Sequence, residues 1–164
     1  GMNSADFIRA VGAKYLEQAY GTSSGTLPSA SSQYFAAAFR SRAKDDPESP
    51  AADRSYDATA LAGLALLATP KRDGASLRAA MDRVTAPRGE VIHAGAEEFK
   101  RARTLLRQGK SLRYEGVIGA VSFDAAGDIS GPFRLWRIEH GEVHTTGQMS
   151  AEEVSLLRKQ AGAP

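Results

Sequence analysis

Catalysis and metal binding most often use histidine, cysteine and paired acidic side chains, and this sequence contains few of them. It has three histidines and no cysteine, which excludes a disulfide framework, a thiolate zinc site and a cysteine nucleophile. His140 and His144 have the spacing of two metal ligands on a helix, but Gly141 lies between them and predicts a hairpin. We therefore predict no catalytic residue, no metal ligand and no cofactor, and we expect the protein not to be an enzyme.

The other ionisable residues leave one enzymatic alternative open. A small enzyme would need a pocket that gathers groups such as Glu115, Asp124 and His93. The charge balance argues against a nucleic-acid partner, since 21 Lys and Arg residues oppose 19 acidic ones and the formal net charge is +2. The 164 residues are 42% hydrophobic and 24% charged, a composition typical of a globular protein.

The most informative stretch runs from Leu112 to Ile138 and predicts two strands joined by a tight turn. β-Branched and aromatic residues recur on both sides of segment 124–128, whose Asp and Gly residues favour the turn. Gly116 and Gly119 lie inside the first predicted strand, where glycine indicates a bulge or a close approach of another group to the backbone.

The rest of the chain alternates predicted helices with short connections. Apolar residues at helical spacing, capping residues and Pro or Gly stops define the segments. We predict helices over 4–12 (capped by Ser4), 29–43 (starting at Ser29 or Ser31), 53–68 (capped by Asp53), 77–84, 96–108 and from a Ser150–Glu153 capping box onward. We also predict a strand over 15–20, a loop over 21–28 and a linker over 44–50. The 53–68 helix is apolar nearly all round, so we expect it to be buried on most sides.

The stretch from Leu112 to Ile138 reads YEGVIGAVSFDAAGD and then continues into an aromatic strand with Trp136. This order resembles the closing segment of type I periplasmic solute-binding proteins, above all the leucine/isoleucine/valine-binding family of ABC importers. The segment Ser55-Tyr56-Asp57-Ala58, followed by an Ala/Leu-rich helix, resembles the helix after that family's crossover between lobes. Residues 4–8 and 20–22 resemble a helix and a strand of its C-terminal lobe. The likeness runs along nearly the whole chain but matches only the last part of a longer protein.

The resemblance implies a fold and a division of the chain. The fold would be α/β, a partial type I periplasmic-binding-protein fold with helices packed on a mostly parallel sheet, a β-hairpin and a C-terminal helix. Residues 1–47 and 124–149 would belong to the C-terminal lobe and residues 48–123 to the N-terminal lobe. Residues 150–164 would form the C-terminal helix and tail.

The resemblance also implies a function. The parent protein would capture a small solute, an amino acid or a related carboxylate, in the periplasm and deliver it to an ABC permease. Tyr56 matches an aromatic residue that lines the solute cleft in the family, and the alternative is a tyrosine packed at the start of a buried helix. The family's residues for the amino and carboxylate groups lie upstream of the matching part, so we expect weak binding by this chain alone. The sequence shows no basic-then-apolar leader and no run of about 18 apolar residues.

One further alternative is a sensor or interaction module that kept the fold and lost the ligand, which a filled-in cleft beside Tyr56 would favour. A lobe without its first half would expose sheet edges and apolar faces, for example around Val117, Val121 and the 53–68 helix. We therefore expect a homodimer with an apolar interface above about 2,000 Å².

Overall fold

The computed structural model describes residues 2–43, 46–47, 49, 51–123, 127–129 and 131–160, the side chains of 158 and 159 excepted. The elements in chain order are α1 (Ala5–Val11), α2 (Ala13–Leu16), β1 (Tyr20–Ser24), α3 (Ala30–Arg42), α4 (Ala52–Ala68), α5 (Gly74–Val84), β2 (Glu90–His93), α6 (Ala96–Arg107), β3 (Leu112–Gly116), β4 (Gly119–Ala120), β5 (Phe133–Glu139), β6 (Glu142–Met149) and α7 (Ala151–Gln160).

These elements form two compact units. The first unit joins the chain up to Gly25 with the chain from Gly131 onward, and the second runs from Thr26 to residue 130. The boundaries expected from the sequence, after residues 47 and 123, therefore do not coincide with the boundaries of the units.

The difference arises at α3, which was expected to lie in another lobe than α4. The Phe35 ring of α3 lies 5.3 Å from the Tyr56 ring of α4 in an edge-to-face contact, and both rings belong to one apolar cluster. Within the predicted linker Asp46 is exposed but Pro47 is buried, while residues 44, 45, 48 and 50 lie outside the described part of the chain. Whether either unit corresponds to one lobe of a longer protein stays a prediction.

The first unit contains an antiparallel sheet with the strand order β1-β5-β6. Its core consists of Ile8, Trp136 and Ile138, with Leu16 and Ala19 packed against them. Gly21 of β1 lies opposite Trp136, and a Cβ at Gly21 would be 2.6 Å from the indole ring. The missing side chain at Gly21 therefore lets the indole cover the strand.

The second unit contains a sheet with the order β2-β3-β4, in which β2 and β3 are parallel and β4 is antiparallel to β3. Helices α4, α5 and α6 pack around this sheet and enclose the larger core, formed by Leu61, Leu64, Val84, Ile92, Ala102, Leu106, Leu112, Tyr114, Ile118 and Val121. The predicted α/β class is confirmed. Among the described strands, however, parallel pairing is confined to β2 and β3, so the sheets are less parallel than expected.

The two strands predicted within Leu112–Ile138 do not pair with each other as a hairpin. The chain turns back after β3 to form β4, helped by the positive φ of +104° at Gly119. β5 belongs instead to the other sheet, where it pairs with β1 and β6. Phe123 and Ile129, on either side of the predicted turn, form one antiparallel bridge, and Gly127 has φ +87°; residues 124–126 lie outside the described residues. Asp124 lies outside the described residues.

Several local predictions are confirmed. Ser4 caps α1 by accepting a hydrogen bond from the Phe7 N–H at 3.2 Å. Ser150 and Glu153 form the predicted capping box of α7, with hydrogen bonds of 2.7 and 3.2 Å. Gly141, at φ +78°, closes the hairpin between β5 and β6.

Two local predictions are wrong. The segment 15–20 was expected to be a strand, but α2 covers part of it and β1 begins only at Tyr20, in the segment expected to be a loop. Asp53 does not cap α4, which begins one residue earlier, after Ala51 at φ +66°. The Asp53 carboxylate instead accepts a hydrogen bond from the Thr26 hydroxyl at 2.6 Å, so its short polar side chain joins two segments distant in sequence.

Of the places where apolar exposure was expected, α4 is exposed, but Val117 and Val121 are not. Val117 and Val121 are 1% and 3% exposed, because the turn into β4 folds them into the second unit. α4 buries one face but leaves Leu66 and Leu67 40% and 52% exposed, so the expectation of burial on most sides is wrong. Among the described residues no helix is long and apolar enough to cross a membrane.

Arg83 of α5 binds backbone carbonyl groups at the C-terminal ends of two other helices, α4 and α6. Its guanidinium donates hydrogen bonds to the carbonyl oxygens of Ala68 at 3.1 Å, Leu106 at 3.0 Å and Lys110 at 3.2 Å. Ala68 ends α4, and Leu106 lies in the last turn of α6. A cation therefore satisfies carbonyl groups at the negative ends of two helix dipoles.

Replacing Arg83 with glutamine should lower the free energy of unfolding by about 1–3 kcal/mol, because three carbonyl oxygens lose charged donors. The matched control is Arg78, an exposed residue of the same helix, where R78Q should change that free energy by less than about 0.5 kcal/mol. Denaturant titration of both variants measures the difference. Equal losses would contradict the role assigned to Arg83.

Candidate functional site

The candidate site lies where the two parallel strands end. His93, the last residue of β2, is paired with Glu115 of β3, so the carboxyl ends of both strands meet at one edge of the sheet. Ligands of α/β proteins bind at this edge, where loops and helix N-termini converge. The Tyr56 side chain packs here, half-buried, against a cluster formed by Phe35, Ala94 and Val117.

Ser31 joins the ends of β2 and β3. It is 1% exposed, and its hydroxyl donates to the Glu115 carbonyl oxygen at 2.5 Å while accepting from the Ala94 N–H at 2.9 Å. The sequence indicated Ser31 only as a possible start of α3, whereas Ser29 is the N-cap. A buried serine inside a helix has no local pattern that would reveal such a partner across the fold.

Asp57 holds the turn that follows β3. Its carboxylate is 1% exposed and accepts hydrogen bonds from the Tyr114 hydroxyl at 2.8 Å and from the N–H groups of Val117 and Ile118, each at 2.9 Å. A Cβ at Gly116 would lie 2.5 Å from the carboxylate atoms, which explains why the strand carries glycine there. The predicted close approach at Gly116 is therefore confirmed.

Burial raises the pKa of Asp57 above its usual value, while the hydrogen bonds from Ile118, Val117 and Tyr114 oppose the rise. Burial and the neighbouring carboxylate also raise the pKa of the Tyr114 phenol. Tyr114 therefore stays protonated and available as a donor. The native state binds a proton at Asp57 more tightly than the unfolded chain does.

Two tyrosine hydroxyls lie at the N-terminus of α6. The Ala96 N–H donates to the Tyr34 hydroxyl at 3.3 Å, and the Gly95 N–H lies near enough to the Tyr56 hydroxyl to lower its pKa. Gly95 has φ +138° and supplies no side-chain cap to α6, so beyond the Ala96 N–H the first turn of that helix offers the N–H groups of Glu97 and Glu98 to water or to a ligand.

Burial raises the pKa of Tyr56, with smaller contributions from Tyr34 and Asp57, while the Gly95 N–H and Arg42 act in the opposite direction. The hydroxyl is therefore protonated at neutral pH and can both donate and accept. An aromatic face, two hydroxyls and a helix N-terminus together suit a small solute with an apolar part and an anionic part. The assignment of Tyr56 as a ligand-binding residue stays a prediction.

The residues of the enzymatic alternative are brought together only in part. His93 Nδ1 and a Glu115 carboxylate oxygen lie 3.9 Å apart, but Arg113 already binds the same carboxylate at 2.6 Å. Asp124 lies outside the described residues. Within the described part of the chain, no three His, Asp or Glu side chains cluster as metal ligands.

A depression lies at the opposite end of the parallel strands from Tyr56. It is lined by Arg88, Gly89, Glu90, Val91, Lys110 and Ser111. The Lys110 ammonium is bound to the Glu90 carboxylate at 2.9 Å, and this contact lowers the Glu90 pKa. Two of its charges therefore already neutralise each other, which favours the carboxyl end as the functional edge.

Comparison with known proteins reveals a likeness of fold. A scan against protein-family models finds no match, and a search of curated proteins finds none either. Among solved structures, the chain is similar to the leucine-binding protein LivK of Thermotoga maritima MSB8, with 12% sequence identity and a TM-score of 0.62. The match covers 93% of this chain and 36% of that chain. The chain thus has the fold of a part of a type I periplasmic binding protein.

Replacing Tyr114 with phenylalanine should lower the free energy of unfolding by about 1–3 kcal/mol, because the buried carboxylate loses a donor. The loss should depend on pH. With its pKa raised, Asp57 contributes stability that is full below its unfolded pKa of about 3.9 and is lost as the pH rises through its folded value. Y114F raises that folded value further, so its cost should grow from pH 4 towards neutral, about 1.4 kcal/mol for each pKa unit gained.

Denaturation of Y114F at a series of pH values tests this expectation. Tyr15, which is 72% exposed, provides the control, and Y15F should leave both stability and its pH dependence unchanged. A cost of Y114F that is the same at all pH values would contradict the coupling to Asp57.

Replacing Gly116 with alanine should lower the free energy of unfolding by about 1–3 kcal/mol, because the new methyl group collides with the Asp57 carboxylate. Gly63 in α4 has nothing within 4 Å of a Cβ, so G63A should raise the free energy of unfolding by about 0.5–1 kcal/mol, because alanine has a higher helix propensity than glycine. Thermal unfolding of both variants should give melting temperatures that move in opposite directions. A G116A protein as stable as the unsubstituted one would refute the close approach.

Proposed function

We propose that this chain forms part of a two-lobed solute-binding protein that serves an ABC importer. The observation that supports the proposal is the position of Tyr56, half-buried beside the uncapped N-terminus of α6 at the carboxyl end of β2. The similarity of fold to a leucine-binding protein agrees with this reading. Periplasmic location and delivery to a permease are parts of the same proposal.

The proposed solute is an amino acid or a related carboxylate. Its carboxylate would be attracted by the positive end of the α6 dipole, and its side chain would pack on the ring of Tyr56. Arg42, which lowers the Tyr56 pKa, adds positive charge nearby. In the parent protein the solute would contact both lobes at once, so that binding stabilises their closed arrangement.

A second candidate is a sensor or interaction module that has the fold without a ligand. One observation favours it: the Tyr34 hydroxyl already binds the Ala96 N–H group, and the Tyr56 hydroxyl lies near the Gly95 N–H group. A solute carboxylate would have to use the next N–H groups of α6 or displace these hydroxyls. A small enzyme built on His93 and Glu115 stays a weaker alternative, because Arg113 occupies the glutamate.

Calorimetric titration of this chain with common amino acids should show no binding tighter than about 1 mM, or about −4 kcal/mol. The reason is that in the proposed two-lobed protein this chain supplies only part of the contacts to the solute. The complete reading frame that carries this sequence should bind one of them with micromolar affinity. In that protein Tyr56→Ala should weaken binding at least tenfold, about 1.4 kcal/mol.

The control in the complete protein is Tyr15→Ala, which removes an exposed tyrosine far from α6 in sequence and should leave the affinity unchanged. Micromolar binding by the 164-residue chain would show that it holds a complete site. Failure of the complete protein to bind any amino acid would favour the module without a ligand.

A further inference from the structure

Two neighbouring residues of α4, Tyr56 and Asp57, are held by the same short segment after β3. The Asp57 carboxylate accepts hydrogen bonds from the N–H groups of Val117 and Ile118, each at 2.9 Å. The Val117 side chain belongs to the apolar cluster against which the Tyr56 ring packs, whereas Ile118 belongs to the larger core of the second unit. One carboxylate therefore fixes α4, which carries the tyrosine, and part of the surface that the tyrosine contacts.

The hydrogen bonds of Asp57 define the position of Tyr56 more narrowly than the contacts of its own ring do. The Tyr56 ring meets the Phe35 ring edge to face, with 5.3 Å between the ring centroids. Aromatic pairs are favourable over centroid distances of about 4.5–7 Å, whereas hydrogen bonds weaken steeply when their geometry changes. The ring contact therefore tolerates a rotation or a slide of the first turns of α4 that the hydrogen bonds of Asp57 oppose.

The site of the Asp57 carboxylate accepts no close substitute. Val117 donates to one carboxylate oxygen and Ile118 donates to the other. In an asparagine the amide nitrogen replaces one of these oxygens and is itself a donor. In either orientation of the amide, its nitrogen would face the N–H group of Val117 or that of Ile118. The segment after β3 would have to move away from α4 to relieve this contact.

We propose that Asp57 is a positioning residue of the solute site, which sets the place of Tyr56 without touching the solute. This inference rests on the proposed function, in which the solute lies against Tyr56. Asp57 itself is 1% exposed, and the donors of Tyr114, Val117 and Ile118 converge on its oxygens. The affinity for the solute therefore depends on a residue that the solute does not reach.

The geometric part of the proposal is tested in the 164-residue chain without any solute. The contact between the Phe35 and Tyr56 rings should give a nuclear Overhauser effect between their protons, and D57N should weaken it. The control is V84A, which leaves a cavity in the larger core and lowers stability, but should leave the ring contact unchanged. An unchanged ring contact in folded D57N would overturn the proposal.

The functional part is tested by a double-mutant cycle in the complete protein. Y56A and D57N should each weaken amino-acid binding by about tenfold or more, and the double variant should bind within about threefold of Y56A. The losses are not additive, because D57N acts through the tyrosine that Y56A has already removed. V84A should leave the affinity within about twofold of the unsubstituted protein, which separates positioning from a general loss of stability.

Gly116→Ala provides a second variant, which decides the question if D57N does not fold. Its methyl group would displace the Asp57 carboxylate from the opposite side while keeping its charge, because a Cβ at Gly116 lies 2.5 Å from the carboxylate atoms. G116A should weaken the ring contact and the affinity as D57N does, again without additivity with Y56A.

Additive losses in either cycle would overturn the positioning role and leave the proposed site intact. Folded D57N or G116A that binds as tightly as the unsubstituted protein would have the same meaning. An affinity that Y56A leaves unchanged, or a complete protein that binds no amino acid, would overturn the proposed site and the positioning role with it.

Discussion

The second unit depends on one buried carboxylate. Asp57 is enclosed by the core of its unit, and three donors from β3 and the turn after it converge on its oxygens. An ionised carboxylate is costly to bury unless such donors replace the water it loses. Any shift of the turn after β3 would remove hydrogen bonds from the buried charge of Asp57. The carboxylate therefore fixes the position of that turn. Gly116 permits this packing, since any larger residue would overlap the carboxylate.

The same constraint shapes the candidate site. Asp57 fixes the turn at Val117 and Ile118, and Ser31 fixes the carbonyl group of Glu115 directly before it. Both contacts act at the carboxyl end of the parallel strands, the edge where a flexible loop would otherwise be expected. A rigid edge holds the N-terminus of α6 in a defined place, which is the condition for a helix dipole to act on a ligand. The site is therefore organised mainly by residues that do not themselves face a solute.

The sequence predicted those features that arise from local patterns. The helices, the caps at Ser4 and Ser150 and the glycine hairpin at Gly141 follow from residue types within a few positions of one another. Strand pairing was predicted less well. The residue pattern of β5 does not indicate whether it pairs with β3 or with β1, because the choice of partner depends on contacts distant in sequence. Ser31 and Arg83 were missed for the same reason: their partners are backbone carbonyls, which carry no residue type to read. The resemblance led to the fold class and to Tyr56, whereas composition and spacing alone did not.

The adjacent residues Tyr56 and Asp57 connect stability with the proposed activity. Successive residues of a helix point about 100° apart, so neighbours on α4 reach different surroundings. Asp57 is directed to the turn after β3, and Tyr56 is directed to the start of α6. The hydrogen bonds of Asp57 therefore set the rotation of the first turns of α4, and that rotation determines where the Tyr56 hydroxyl lies. A substitution that disturbs Asp57 would displace Tyr56 as well, so loss of binding in such a variant would reflect the changed position of the tyrosine. Loss of binding in a Tyr56 variant of unchanged stability would reflect a lost contact with the solute.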